Sequence, residues 1–312
     1  MSDPRPTDSI QTLRANIASA YFGDPSVIDR VIACVLARGH LLIEDVPGVG
    51  KTVLATALAR SIDCSFSRIQ LTPDLLPSDI LGTSILDRST NELTFRPGPI
   101  FANVVLADEV NRTPPRTQSA MLEAMSEGTV SVEGRMIPLE QPFLVVATQN
   151  PHDFEGTYPL PENQLDRFLM RIALGYPSAQ NEARVLNRRP ANDALRELKA
   201  VLHKADIIAL QSAVDAVRID PTLVDYIVRF ATATRRSELL TLGLSPRGSL
   251  ALAQAARAWA LVNGRNHVQP DDIVDQIGTV CGHRVVSRSR NAPPDAVMAT
   301  LESILESVDS PA

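Results

Sequence analysis

The chain is poor in several features that mark large protein classes. It has 3 cysteines and 1 tryptophan in 312 residues, and aromatics make up only 4% of it. Cys34, Cys64 and Cys281 lie far apart, are odd in number and have no Cys-x-x-Cys spacing. That pattern argues against a disulfide framework or a zinc site, and predicts buried free thiols in a reducing compartment. No uncharged apolar run approaches the length of a membrane span. The stretch Met1 to Asp8 is polar and proline-bearing, so no secretory signal is expected and a cytoplasmic location is. Basic residues are not in excess: 30 Lys and Arg stand against 36 Asp and Glu, a net charge of −6. An acidic chain argues against a surface that tracks nucleic acid and leaves only a local basic patch, such as Arg284 to Arg290.

What is present points to two domains. The length fits roughly two on the usual prior, and 44% hydrophobic content fits a compact, helix-rich protein. Up to about Leu174, short apolar runs alternate with helical patterns. The expected strands are His40–Glu44, Ser67–Leu71, Asn103–Ala107, Phe143–Ala147 and Met170–Leu174. Short strands separated by helices predict a parallel sheet covered on both faces. After Tyr176-Pro177 the pattern is helical only. Asp220-Pro221 and Ser245-Pro246 each read as an N-cap followed by proline at the first helical position, and Gln269-Pro270 opens a further helix. An α/β domain over 1–178 followed by a helical domain over 179–312 is the expectation. Two β-hairpins interrupt the first: Ser84–Asp87 with Glu92–Phe95 around Arg88-Ser89-Thr90-Asn91, and Thr129–Val132 with Met136–Leu139 around Glu133-Gly134-Arg135.

Three strand ends carry chemistry. The first is His40-Leu41-Leu42-Ile43-Glu44-Asp45-Val46-Pro47-Gly48-Val49-Gly50-Lys51-Thr52, with a helical run from Val53 to Arg60 directly after it. An apolar strand, a glycine-bearing loop and a helix start are what a phosphate-binding loop needs. The glycines let backbone N–H groups turn toward an anion, and the helix N-terminus adds positive potential. Lys51 reaches the outer phosphates and the Thr52 hydroxyl holds Mg²⁺. Asp45 stands where the pattern has its first glycine, which is tolerable because Gly48 and Gly50 remain.

The second is Asn103-Val104-Val105-Leu106-Ala107-Asp108-Glu109, an apolar strand ending in two carboxylates. Asp108 can bind the Mg²⁺ that bridges phosphates, and Glu109 can activate the attacking water. The third is Phe143-Leu144-Val145-Val146-Ala147-Thr148-Gln149-Asn150-Pro151. Asn150 at its tip can hydrogen-bond the water or the γ-phosphate, although Asn-Pro is equally an ordinary turn former.

With these three tips the chain resembles the AAA+ ATPases, and specifically the MoxR family. Further family-like stretches are Phe95-Arg96-Pro97-Gly98-Pro99-Ile100-Phe101, Ala107-Asp108-Glu109-Val110-Asn111-Arg112 and Gln118-Ser119-Ala120-Met121-Leu122-Glu123-Ala124-Met125. So are Leu160-Pro161-Glu162-Asn163-Gln164-Leu165-Asp166-Arg167-Phe168 and Ser245-Pro246-Arg247. The resemblance runs from about Ala20 to Ser287. It implies an AAA+ P-loop NTPase core with β-hairpin inserts and an all-helical lid. It implies a Walker A loop, Asp45 to Val53, in which Lys51 and Thr52 act, and a Walker B pair, Asp108 and Glu109. Asn150 would be sensor 1, Arg247 sensor 2, and Arg167 the arginine finger offered to a neighbouring subunit.

The arginines keep alternatives. Arg167 ends a short helix opened by Pro161-Glu162 and could simply pair with Asp166 or Glu162; Arg171 is a second candidate for the finger. Arg247 sits in the first turn of a helix capped by Ser245, where a cation opposes the helix dipole, so local stability does not explain it. Arg112 either links the site to a subunit interface or is an ordinary surface arginine. The base pocket is expected near Tyr21-Phe22-Gly23, between the N-terminal segment and the helical domain.

The expected activity is Mg²⁺-dependent ATP hydrolysis by a ring, a hexamer on the resemblance. Its expected task is chaperone-like: assembly, maturation or metal insertion of a client protein complex, with a separate von Willebrand factor A domain protein as partner. Nucleic acid and membrane insertion are not expected. Two alternatives remain, a nucleic-acid-stimulated helicase-like or loader-like motor, and a nucleotide-controlled scaffold with little turnover.

Overall fold

The computed structural model describes residues 6–87, 89, 91–132, 134–150, 156–187, 192–289 and 293–310. Of the residues named above, Met1, Arg88, Thr90, Glu133, Pro151 and Arg290 lie outside these.

The chain opens with two helices, α1 (Pro6–Ala20) and α2 (Pro25–Leu36). Asp24 caps α2 by accepting from the Ser26 N–H, and Pro25 fills the first position, where no N–H is needed. Strand β1 (Leu41–Glu44) feeds the loop that starts α3 (Lys51–Ser61), and β2 (Phe66–Gln70) follows. The short α4 (Pro77–Leu81) leads into a hairpin of β3 (Gly82–Asp87) and β4 (Glu92–Pro97). Next come β5 (Val104–Asp108), α5 (Pro115–Glu127), and a second hairpin of β6 (Thr129–Val132) and β7 (Arg135–Pro138). Strand β8 (Leu144–Gln149), the single turn α6 (Glu162–Leu165) and β9 (Met170–Ile172) complete the α/β part.

Five of these strands form one parallel sheet in the order β2-β5-β8-β1-β9. Strand β5 is buried throughout and β8 at all but Gln149, which explains their unbroken apolar sequence. The order sets β5, β8 and β1 side by side, so their three polar tips open onto one crevice at the carboxyl edge of the sheet. Each strand lies within two residues of its expected position at either end.

The remainder is mainly helical: α7 (Ala179–Asn187), α8 (Asn192–Glu197), α9 (Lys204–Asp215), α10 (Pro221–Arg236), α11 (Pro246–Val262), α12 (Pro270–Gln276) and α13 (Pro294–Glu306). Asp220 and Ser245 cap α10 and α11 with side-chain acceptors, as their Asp-Pro and Ser-Pro pairs predict. It differs from a purely helical pattern in two places. A two-stranded antiparallel ladder joins β10 (Leu240–Leu242) to β11 (Val286–Ser287), pieces too short to carry an alternation signal. A π-helical turn, Ile277–Cys281, extends α12.

Residue 178 marks a change of composition more than a break in packing. One apolar core runs from α1–α3 and the sheet into α9–α12. Four fully buried alanines of α11, Ala255, Ala256, Ala258 and Ala260, allow close approach of the neighbouring backbone. The Gln211 amide of α9 donates to the Val35 carbonyl of α2 at 2.8 Å, and Arg38 pairs with Asp215 at 2.8 Å. A second core lies on the other face of the sheet, under α5 and the base of the hairpins. Cys34 and Cys281 are buried free thiols and Cys64 is half-buried. Burial pushes the Cys281 thiol up to about 12 and raises Cys34 as well.

Candidate active site

The loop between β1 and α3 takes the shape an anion needs. Gly48 and Gly50 have φ of +89° and +97°, the left-handed region that glycine enters without a Cβ penalty. Gly50 is the N-cap of α3, so Lys51 and Thr52 open the helix with its free N–H groups ahead of them. The Lys51 Nζ donates to the Asp45 carbonyl at 2.6 Å. Burial lowers the Lys51 pKa from the ordinary lysine value, while the carboxylates of Asp45, Asp108 and Glu109 pull it upward.

Asp45 has its own structural account. One carboxylate oxygen accepts from the Val46 N–H at 2.8 Å; the other accepts from Leu174 and Gly175 N–H at 2.7 and 2.8 Å. A glycine there could not tie the loop to the segment that leaves β9.

At the tip of β5, both carboxylates are held. Asp108 Oδ2 accepts from Arg68 Nε at 2.7 Å, and Oδ1 accepts from the Thr148 hydroxyl at 3.2 Å. Glu109 is non-glycine at φ +59°, ψ +53°, a costly left-handed conformation of the kind found at functional sites. Its N–H donates to the Thr148 hydroxyl at 3.0 Å, and its Oε2 accepts from the Gln70 amide at 3.0 Å. Arg112 Nε lies 3.2 Å from the same oxygen, an ion pair without hydrogen-bond alignment.

These groups line one cleft of about 570 Å³. Of the residues expected in the site, the cleft brings together Pro47, Gly48, Gly50, Lys51, Thr52, Val53, Asp108, Glu109 and Asn150. Its donor chemistry fits Mg²⁺: a hydroxyl and a carboxylate supply hard oxygens, and phosphates and water complete such a shell. Among the described residues no group of three or more His, Cys, Asp or Glu could hold a metal by itself.

A second cavity, about 430 Å³, shares Pro47, Gly48, Gly50 and Val53 with the first. Val49, Tyr21, Phe22 and Gly23 line it on one side, with Gly175 to Pro177 and Val185 and Leu186 of α7 on the other. Its walls are mostly apolar and of a size for a purine. Arg184 of α7 stacks on the Phe22 ring at 4.6 Å. Burial, with Asp24 and Asp45 nearby, pushes the Tyr21 hydroxyl up to about 12.

The remaining arginines are not in the cleft. Arg167 donates through Nη1 to the Leu122 carbonyl of α5 at 2.5 Å rather than pairing with Asp166 or Glu162. Arg171 is committed to Glu44, with Nη1 3.1 Å from Oε2 and both side chains largely covered. Arg247 Nε lies 3.8 Å from Asp166 Oδ2. Arg284 does not belong to an exposed basic patch, and that expectation is corrected here. It is buried, with its Nε 2.7 Å from Asp166 Oδ1 and its Nη groups on the carbonyls of Asp166, Phe168, Leu169 and Val280. His283 beside it bonds the Phe168 carbonyl at 2.9 Å, and burial next to Arg284 drives its pKa well down. Asp166 is therefore shared by Arg247 and Arg284, and is the chain neighbour of Arg167.

Arg68, Gln70 and Thr148 were not singled out by sequence. The available signal was two polar residues spaced by two on β2, the period that puts both on one face of a strand.

Comparisons with known proteins identify the family of the chain. The family described as "ATPase family associated with various cellular activities (AAA)" matches residues 40–170, and the "AAA lid domain" matches residues 232–307. The uncharacterized protein YeaC of Bacillus subtilis is 54% identical over 242 residues, 78% of this chain and 76% of that one. Chaperone MoxR1 of Mycobacterium tuberculosis is 44% identical over 273 residues, 85% of this chain and 72% of its own. A crystal structure of a candidate ATPase from Cytophaga hutchinsonii superposes with a TM-score of 0.90 at 34% identity, covering 98% of this chain and 96% of the other. With a MoxR chaperone 44% identical over most of its length, and AAA and AAA-lid models matching its two parts, this chain belongs to the MoxR family of AAA+ ATPases.

Proposed function

We propose that the protein is a Mg²⁺-dependent ATP hydrolase that acts as a ring, with a hexamer as the expected form. The observation that carries this is the single cleft shared by Lys51, Thr52, Asp108, Glu109 and Asn150. In this reading the N–H groups at the start of α3 and Lys51 hold the β- and γ-phosphates, and the apolar cavity beyond the loop takes adenine. Thr52 and Asp108 would hold Mg²⁺, which would supply charge neutralisation at the phosphates. Glu109, once released by Gln70 and Arg112, accepts a proton from the attacking water, and Asn150 orients that water. Arg167 leaves the Leu122 carbonyl to reach a neighbour's phosphate, a contribution of about 10³-fold or more in related phosphoryl transfers. Arg247 leaves Asp166 to meet nucleotide.

We infer a protein client, with a separate von Willebrand factor A domain protein as partner and metal insertion or complex maturation as the task. The hairpins favour a protein over nucleic acid. Leu86 and Leu93 face each other across β3–β4 at 50% and 67% exposure, and Met136 of β7 is 70% exposed. Apolar side chains of this kind suit exposed protein segments, whereas a nucleic-acid surface is built on clustered positive charge.

The test is steady-state ATP hydrolysis against protein concentration, with Lys51→Ala, Glu109→Gln and Arg167→Ala. The reading requires specific activity that rises with concentration, no turnover in Glu109→Gln despite ATP binding, and loss of turnover in Arg167→Ala. Flat activity per subunit with an active Arg167→Ala would mean a self-contained site. Stimulation by DNA that falls with added salt would favour the loader-like motor.

A further inference from the structure

Asp108 raises a question that its expected role as a metal ligand does not answer: what balances its charge before a metal arrives? Its side chain is only 10% exposed, so leaving it ionised and unpaired would be costly. The partner is Arg68, at 2.7 Å from Oδ2. The other oxygen is turned to the Thr148 hydroxyl. Arg68 reaches this place by register. On the edge strand β2 it pairs with Leu106, two residues short of Asp108, while Gln70 pairs with Asp108 itself. Both β2 side chains therefore lie along the phosphate cleft, and each holds one of the two carboxylates of the β5 tip.

We propose that Arg68 is a built-in occupant of the metal position, which must leave Asp108 before Mg²⁺ can be held there, and so sets the Mg²⁺ requirement for nucleotide binding. Two positive groups cannot share Oδ2: the guanidinium stands where an ion bound to that oxygen would be, and the two would repel. Arg68 is able to leave, because its side chain is 52% exposed and its strand is the sheet edge. Its departure costs little solvation, unlike that of a buried arginine such as Arg284. The proposal rests on the ATPase reading, but makes a claim that reading does not contain.

The test is equilibrium binding of N-methylanthraniloyl-ADP, read by fluorescence, first in EDTA and then over a Mg²⁺ titration. It compares the wild-type chain with Arg68→Met, Arg68→Gln and Arg68→Lys. Either uncharged variant should reach half-saturation at a Mg²⁺ concentration about five- to tenfold lower, the effect of removing one partly buried charge-assisted hydrogen bond. Its affinity in EDTA should stay within about twofold of wild type, since no phosphate contact is lost. Arg68→Lys, which keeps a cation able to pair with Asp108, should titrate close to wild type. An unchanged or raised Mg²⁺ midpoint in both uncharged variants would overturn the proposal. So would a several-fold loss of affinity in EDTA, because Arg68 would then be a phosphate ligand. If the wild-type chain binds no nucleotide with or without Mg²⁺, the ATPase reading itself falls, and this proposal with it.

Discussion

Replacing Asp166 by alanine should be among the most damaging single changes outside the nucleotide cleft. The Arg284 side chain is 3% exposed and Asp166 is 20% exposed, so the ion pair between the lid and the segment before β9 is nearly dry. Removing one member of a buried pair typically costs ~3–5 kcal/mol, because the other is left charged and uncompensated. Arg284 would keep four carbonyl acceptors, on Asp166, Phe168, Leu169 and Val280, which limits the loss to the lower end of that range, about 3 kcal/mol. Arg247 adds little, since its own side chain is 56% exposed and an exposed pair contributes ~0–1 kcal/mol. A loss of about 3 kcal/mol corresponds to about 5 °C in Tm for a chain of this length. Denaturant unfolding should show the midpoint lowered at unchanged slope. The double variant Asp166→Ala with Arg284→Met should recover much of the loss, because an apolar replacement of a whole buried pair is often neutral or better. An Asp166→Ala variant within about 0.5 kcal/mol of wild type, or a double variant equal to the sum of the singles, would refute the claim that this pair bears charge compensation.

Three further outcomes follow from other parts of the structure. Burial lowers the His40 pKa from 6.5 to about 4, and its ring bridges the Val145 N–H and the Met125 carbonyl in the neutral form. The unfolded chain then binds a proton that the folded chain refuses. Stability from this group is fully present above pH 6.5 and falls by about 3 kcal/mol as pH drops to 4. His283 acts in the same direction, so His40→Asn should reduce but not abolish the slope of unfolding free energy against pH. Asp45→Ala should leave the Leu174 and Gly175 N–H groups without their acceptor; at ~1 kcal/mol per lost bond, nucleotide affinity measured by fluorescence should drop several-fold while the chain stays folded. Gly50→Ala forces a Cβ into φ +97°, and should cost ~1–2 kcal/mol by thermal unfolding and weaken nucleotide binding.

The parts of the site that were legible in the sequence are those in which a strand, its tip and the next turn are contiguous. Lys51 and Thr52 follow β1 through one short loop, and Asp108 ends β5 with Glu109 next to it, so local pattern and chemistry point to the same residues. A parallel sheet sets all the carboxyl ends on one edge, and the order β5-β8-β1 then makes these three tips neighbours. What was not legible depends on register and on long-range partners. Arg68 and Gln70 look like the polar face of an edge strand, and only the pairing of Gln70 with Asp108 turns that face into the wall of the cleft. Arg284 is separated from Asp166 by 118 residues, and Arg288, four positions on, is exposed. Nothing local distinguishes a buried arginine from a surface one; the difference lies in the four carbonyls and one carboxylate that the β9 segment and the π-helical turn present to it. The same contact explains why sequence could not decide between Arg167 and Arg171. They are four residues apart, but β9 commits Arg171 to Glu44 inside the sheet, and leaves Arg167 on the short segment anchored by Asp166. An arginine that must move to a neighbour's phosphate is better placed on such a segment than in a strand, because releasing one carbonyl bond costs far less than breaking a largely covered ion pair.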